Sequence, residues 1–317
     1  MKVLVTGGAG FIGSNLARAM LAAGSFEEVR VLDDLSTGYA ENLTGLDVAF
    51  TEGSILDMAA LERVADGVDS IVHLAAIPSV PRSVANPRAS HDANATGTLN
   101  VLEAARATGV EQVIVASSSS VYGSNPTLPK NEDDWTRPLS PYAVSKLATE
   151  GYAIAYQASY GLKTLPFRFF NVYGPGQAAG HAYAAVVPKF IDAALSGQAL
   201  EIHGDGRQSR DFTFVADVCR VIMSAVSRRL SHPGPVNLAF NTNTTLLELI
   251  SELEAQLGET VAKEFTDPRV GDVRASQADS LLLRELFPDV TPLPLADGLS
   301  ATLAWYRGRI GLDTGAS

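Results

Sequence analysis

Tyr142 and Lys146 stand four residues apart in Pro-Tyr-Ala-Val-Ser-Lys, at the start of a stretch whose spacing predicts a helix over 142–160. Both side chains then share one face, and such a pair can remove a proton from a hydroxyl. A phenol with an ordinary pKa of ~10 is a poor base near neutrality; about three units of depression, or ~4 kcal/mol favouring the phenolate, are needed. A neighbouring ammonium has the right sign of field, and a positively charged nicotinamide ring would add to it. Upstream, a strand-like run ends in Ser117-Ser118-Ser119-Ser120-Val121-Tyr122-Gly123, and hydroxyls at a strand's carboxyl end can reach a ligand. Taken alone, a tyrosine and lysine four apart are usually a surface pair and a serine run is usually a loop, so the surrounding sequence decides.

Directly after the first strand-like run comes Thr6-Gly7-Gly8-Ala9-Gly10-Phe11-Ile12-Gly13. Gly7, Gly10 and Gly13 allow a tight turn, close approach of backbone to a pyrophosphate, and packing of helix on strand, while the helix N-terminus offers free N–H groups. Asp33 ends the second run 20 residues beyond Gly13. A carboxylate there accepts hydrogen bonds from ribose hydroxyls and repels a 2'-phosphate, which points to NAD rather than NADP. An ordinary glycine turn followed by a solvated Asp33-Asp34 is the plainer alternative.

These groups meet only if a scaffold brings them together. Residues 3–5, 29–32, 70–74, 112–116 and 164–168 read as buried parallel strands, and 14–23, 61–65, 94–108 and 142–160 carry helical spacing. That alternation predicts an α/β fold, a doubly wound parallel sheet of the Rossmann type whose ligand sits at the carboxyl ends of the strands. Beyond Phe170 the rhythm loosens: glycine-rich loops, a helix over 188–195, a strand over 201–203, a helix over 212–228 and an amphipathic helix over 246–257. We expect residues 1–170 to form the NAD-binding domain, with about 212–236 returning to it, and 171–317 to form mainly a smaller substrate-facing lobe ending in a frayed tail.

Composition narrows the class. The 317 residues are 46% hydrophobic and 19% charged, enough for a sizeable core and too apolar for disorder. Cys219 is the single cysteine, which excludes an intrachain disulfide or a thiolate cluster for zinc and suits the cytosol; no metal site is expected. There is no secretory signal pattern and no apolar run long enough to span a bilayer. A net charge of −11 argues against a nucleic-acid surface. It also means that an anionic ligand would need locally placed cations.

With these motifs in order, the chain resembles the extended short-chain dehydrogenase/reductases, and within them the nucleotide-sugar 4-epimerases. The resemblance runs over almost the whole chain through the glycine loop, Leu32-Asp33-Asp34-Leu35-Ser36-Thr37-Gly38, His73-Leu74-Ala75-Ala76, the stretch from Asn94 to Arg106, Arg168-Phe169-Phe170-Asn171-Val172-Tyr173-Gly174-Pro175, Arg210-Asp211-Phe212 and Arg269-Val270-Gly271-Asp272. It implies that Tyr142 is the base, that Lys146 lowers its pKa and holds the nicotinamide ribose, and that Ser118 hydrogen-bonds the sugar O4. It assigns Gly7, Gly10, Phe11, Ile12, Gly13, Asp33, Ser36, Thr37, Gly38, Ser54, Ile55, Leu74, Ala75, Ala76, Asn94, Tyr142 and Lys146 to NAD. Asn171, Arg210, Arg269 and Asp272 would bind the nucleotide diphosphate, with Val187 and His203 also facing the substrate. The family commonly pairs as a homodimer through a four-helix bundle, here by the helices from Asn94 and from Tyr142.

Dehydratases and uronate decarboxylases of the family resemble one another in carrying carboxylic acids just after the catalytic hydroxyl, where this chain has Ser119 and Ser120. Serine cannot act as a tuned carboxylic acid, so elimination has lost its acid and epimerisation remains. Ser276 stands where epimerases restricted to glucose and galactose resemble one another in a bulky Tyr, which implies room for an N-acetyl group or a C6 carboxylate. Donors for such a substituent are sought among Ser79, Arg82, Ser119, Ser120, Thr127 and His181. The chain is similar to bacterial UDP-glucuronate 4-epimerases, such as that of moenomycin-type antibiotic assembly, and to UDP-glucose and UDP-N-acetylhexosamine epimerases. A 4,6-dehydratase or reductase using the same tyrosine and lysine, and a cofactor-sensing regulator without chemistry, are the alternatives.

Overall fold

The structure is a computed structural model that describes residues 1–180, 184–268 and 274–313. Strands β1 (Lys2–Thr6), β2 (Glu28–Asp33), β3 (Ala49–Glu52), β4 (Ser70–His73), β5 (Gln112–Ser118) and β6 (Lys163–Phe169) lie in the order β3-β2-β1-β4-β5-β6. Val236–Leu238 adds a seventh strand beside β6, and every pairing in this sheet is parallel. It is a doubly wound, Rossmann-like sheet. Val3, Leu4 and Val5 of β1 are all fully buried, as a central parallel strand covered on both faces requires. The order reverses direction between β1 and β4, and a crevice opens there.

The flanking helices start and stop where local chemistry dictates. Helix α1 (Phe11–Ala23) follows Gly10 with no side-chain cap and ends at Gly24, whose φ is +65°. Asp57 caps α2 (Met58–Ala65) by accepting from the Ala60 N–H. Two short helices, α3 (Val80–Ala85) and α4 (Pro87–His91), precede α5 (Gly97–Thr108). α6 (Pro141–Tyr160) has Ser140 as its cap, proline in its first turn and left-handed Gly161 as its stop.

Two expected helices differ. The helix expected over 94–108 starts instead with a π turn, Asp92–Thr96, from which α5 continues. The helix expected over 212–228 begins with a strand: Phe212–Phe214 pairs in parallel with Asn171–Tyr173. Phe212 and Phe214 there pack their rings on Tyr173, a use that favours pleated over helical backbone. Only α8 (Val215–Ser227) is helical, and it covers the same face of the sheet as α1. α7 (Val186–Leu195) and α9 (Leu246–Leu257) form a second core with Tyr173, Ile202 and Leu303. α9 opens with the reciprocal capping of Thr245 and Glu248. Among the described residues no helix is long and apolar enough to cross a membrane.

Candidate active site

A cleft of about 1290 Å³ runs along the carboxyl ends of the central strands and continues between α7 and the strand Leu200–His203. This exceeds the ~300–1,000 Å³ of an ordinary small-ligand pocket, so it has room for two ligands end to end.

Its first part is built from backbone. Gly7 has φ +73°, and a Cβ placed on it would lie 2.6 Å from the Ala75 nitrogen. A Cβ on Gly13 would lie 2.3 Å from the Gly7 carbonyl oxygen, and one on Gly38 2.8 Å from the Ala9 carbonyl carbon. Only glycine keeps this cradle open in front of the uncapped N-terminus of α1, which is the architecture that receives a pyrophosphate. Asp33 closes the far side. Its Oδ2 accepts from the Ala9 N–H and its Oδ1 from the Leu35 N–H, both at 2.9 Å. Burial pushes its carboxyl above the ordinary range, against those hydrogen bonds. Phe11, Ile12, Ser36, Thr37, Ser54, Ile55, Leu74, Ala75 and Ala76 also line this part. The residues present fit NAD: a glycine cradle for the diphosphate and a carboxylate for the ribose.

The second part holds the polar pair. Ser118, Tyr142 and Lys146 all line the cleft. Burial raises the Tyr142 phenol, and a hydrogen bond from the Ser118 hydroxyl works in the opposite direction. Lys146 is 4% exposed; its Nζ donates to the Ala116 carbonyl at 2.8 Å, and burial lowers its pKa to about 8. In the protein alone the Lys146 ammonium is directed at the Ala116 carbonyl. His73, fully buried between the hydroxyls of Thr6 (2.7 Å) and Thr98 (3.0 Å), is pushed down to about 3 by burial and by Lys146. It is neutral and serves as a tie between β1, β4 and α5.

Ser79, Arg82, Asn171, Val187, His203 and Arg210 line the cleft. Ser79 caps α3, accepting from the Arg82 N–H at 3.2 Å. His203 Nδ1 is paired with the Thr266 hydroxyl at 2.8 Å, and its Nε2 lies 3.6 Å from the Glu201 carboxylate. Arg269, Asp272 and His181 lie outside the described residues.

Five of the expected site residues are not among the described residues that line the cleft. Asn94 is 1% exposed and does not line the cleft: the π turn aims its amide at the Ile77 N–H (2.8 Å) and the Ser145 hydroxyl (2.9 Å). It steadies the loop after β4. Ser119 and Ser120 are off the wall as well, because a 3₁₀ turn capped by Ser118 carries them away. Ser276 is not among the described lining residues; it is the register partner of Arg210, which lines the cleft. Thr127 is exposed and also outside the cleft.

Two contributors are absent from the sequence reading. Lys189 on α7 lines the cleft and joins Arg82, Lys146 and Arg210 as its described cations; its only signal is a charge within the apolar run Val-Val-Pro-Lys-Phe. The Asn15 amide on α1 donates to the Phe11 carbonyl at 2.8 Å and to the Pro175 carbonyl at 2.9 Å, tying the phosphate-binding helix to the loop that carries Gln177 into the cleft. No local pattern marks it.

Residues 3–239 match the model of the NAD dependent epimerase/dehydratase family. The chain is 37% identical to a UDP-glucose 4-epimerase of Mycolicibacterium smegmatis, over 98% of this chain and 99% of that one. A UDP-N-acetylglucosamine 4-epimerase from Methanobrevibacter ruminantium, solved with UDP-N-acetylmuramic acid, superposes with a TM-score of 0.91 at 34% identity, covering 97% and 98% of the two chains. A UDP-glucuronic acid 4-epimerase from Bacillus cereus, solved with UDP-glucuronic acid and NAD, gives 0.89 at 30% identity over 98% and 100%.

Proposed function

From the premise that the chain belongs to the NAD-dependent epimerase/dehydratase family, we propose that it is a UDP-sugar 4-epimerase, an isomerase that inverts C4 through a transient 4-keto sugar. UDP-glucuronate/UDP-galacturonate and UDP-glucose/UDP-galactose are the favoured pairs, with UDP-N-acetylglucosamine the runner-up. One observation carries the reading: among the described residues, the end of β5 offers the cleft the hydroxyls of Ser117 and Ser118, the latter beside Tyr142, and no carboxyl group that could eliminate water.

Tyr142 takes the O4 proton and later returns it, while Ser118 holds O4 within reach and favours the phenolate. Bound NAD supplies a reversible acceptor for the C4 hydride. The glycine cradle and Asp33 hold it, and Lys146 holds the ribose side with its ammonium against the floor of the cleft. Arg82, Lys189, Arg210 and, on the resemblance, Arg269 are the local cations that a chain of charge −11 needs for a nucleotide diphosphate, and the resemblance adds Asn171 and Asp272 as further contacts to the nucleotide. Residues 1–170 with about 212–236 would act as the cofactor unit. We also read the protein as a homodimer, in which Val144, Tyr152 and Tyr160, exposed on the outer face of α6, meet a second copy. A cytosolic location fits the lone, buried Cys219.

The test is incubation of the purified protein, without added cofactor and again with NAD+, with UDP-glucose, UDP-glucuronate and UDP-N-acetylglucosamine separately, followed by proton NMR at C4. A 4-epimer of unchanged mass supports the proposal and identifies the sugar. A released 4-keto-6-deoxy sugar, or no epimer under either condition, overturns it.

A further inference from the structure

Three inward-facing polar residues follow one another at four-residue spacing on α6: Tyr142, Lys146 and Glu150. The third takes no part in the proton transfer above. The Glu150 and Arg168 side chains are each 4% exposed, and their pairing is two-pronged. Arg168 Nε donates to Glu150 Oε2 at 3.0 Å and Nη2 to Oε1 at 2.6 Å. Oε2 also accepts from the Ser117 hydroxyl at 2.9 Å. Ser117 on β5 and Arg168 on β6 are register partners, so one carboxylate grips both strands one residue before Ser118. Arg168 is fixed on further sides, with Nη1 donating to the Glu132 carbonyl at 3.0 Å and the guanidinium 4.6 Å from the centre of the Tyr122 ring.

An ion pair this deep need not stabilise the fold, because apolar residues of similar volume often do so equally well. A bidentate carboxylate–guanidinium pair does something they cannot: it fixes direction as well as distance. Tyr142 lies two turns before Glu150 on one rigid helix, and Ser118 directly follows Ser117. Any slip of α6 against β5 therefore changes how the Tyr142 and Ser118 hydroxyls face each other.

We propose that Glu150 and Arg168, joined through Ser117, are positioning residues that hold the Tyr142 and Ser118 hydroxyls in register for proton transfer. The proposal rests on the reading of those two hydroxyls as the groups that work on O4. The experiment replaces both charges at once, Glu150→Met with Arg168→Met, which refills the space without leaving an orphaned ion. The expected result is a folded protein with unchanged circular dichroism and unchanged KM, but with kcat lower by about a hundredfold, the scale of a 1 Å misplacement. Wild-type kcat in that folded variant overturns the proposal. Should the double variant not fold, Ser117→Ala carries the test, because it removes the hydroxyl that ties β5 to Glu150 and, at 3.4 Å, to the Lys146 carbonyl: about a tenfold fall in kcat at constant KM supports positioning, and no fall overturns it. Tyr142→Phe is measured alongside. If it keeps its turnover, the reading of the site has failed; if it is inactive while the Met/Met variant runs at full rate, the positioning role alone has failed.

Discussion

The Lys146 ammonium donates to the carbonyl of Ala116 at 2.8 Å, on the strand residue two before Ser118. That geometry holds a charge where water is excluded, and burial brings its pKa down to about 8 from an ordinary 10.5. Between those values the unfolded chain binds more protons than the folded one, so folding stability from this group rises as pH rises. Compared with Lys146→Met, the wild type should gain roughly 3 kcal/mol on going from pH 7.5 to 10.5. Chemical denaturation of both proteins across that range checks it; parallel curves would mean that the ammonium is already solvated.

Tyr142→Phe keeps the ring and removes the hydroxyl. Turnover should fall by at least ~10²-fold, the contribution of a positioned acid/base, while calorimetry with UDP-sugar shows affinity within a few-fold of wild type. Loss of binding together with turnover would assign the phenol to holding the sugar instead.

Gly13→Ala places a methyl group 2.3 Å from the Gly7 carbonyl oxygen, a backbone atom that cannot step aside. The cradle must open, and NAD occupancy of the purified protein should drop about tenfold, equivalent to ~1.4 kcal/mol. Cofactor released on denaturation, measured by enzymatic cycling, is the readout. Full occupancy would show that the diphosphate lies elsewhere.

Val144, Tyr152 and Ala155 are exposed along one side of α6. A carboxylate on that stripe should be unaffordable at a helix-to-helix contact, so Ala155→Glu should convert a dimer into a monomer in light scattering, leaving the fold intact by circular dichroism. A wild-type protein already monomeric at micromolar concentration would remove the dimer.

The glycine loop and Asp33 are legible in the sequence because their requirements are local: positive φ, no Cβ, and a carboxylate at the end of the next strand. Tyr142 and Lys146 are legible for the same reason, since helical spacing alone places them together. Asn94, Ser119 and Ser120 are not, because a π turn and a 3₁₀ turn decide where they point, and those turns are held by partners such as Ser145, 51 residues from Asn94. The strand Phe212–Phe214 escapes for a related reason. Its partner Asn171–Tyr173 lies 41 residues away in the chain, and within its own window Phe-Thr-Phe continues smoothly into α8. Glu150 looks like an ordinary helical acid until β6 brings Arg168 against it.

The Asn15–Pro175 hydrogen bond spans 160 residues of sequence and bears on how freely such chains can be recombined. A hybrid that joined the first 170 residues of this protein to the remainder of a relative would have to match position 15 to an unfamiliar loop. Transplanting sugar preference between relatives is therefore a problem of two facing edges, and the Asn15 amide belongs to the edge on the cofactor side.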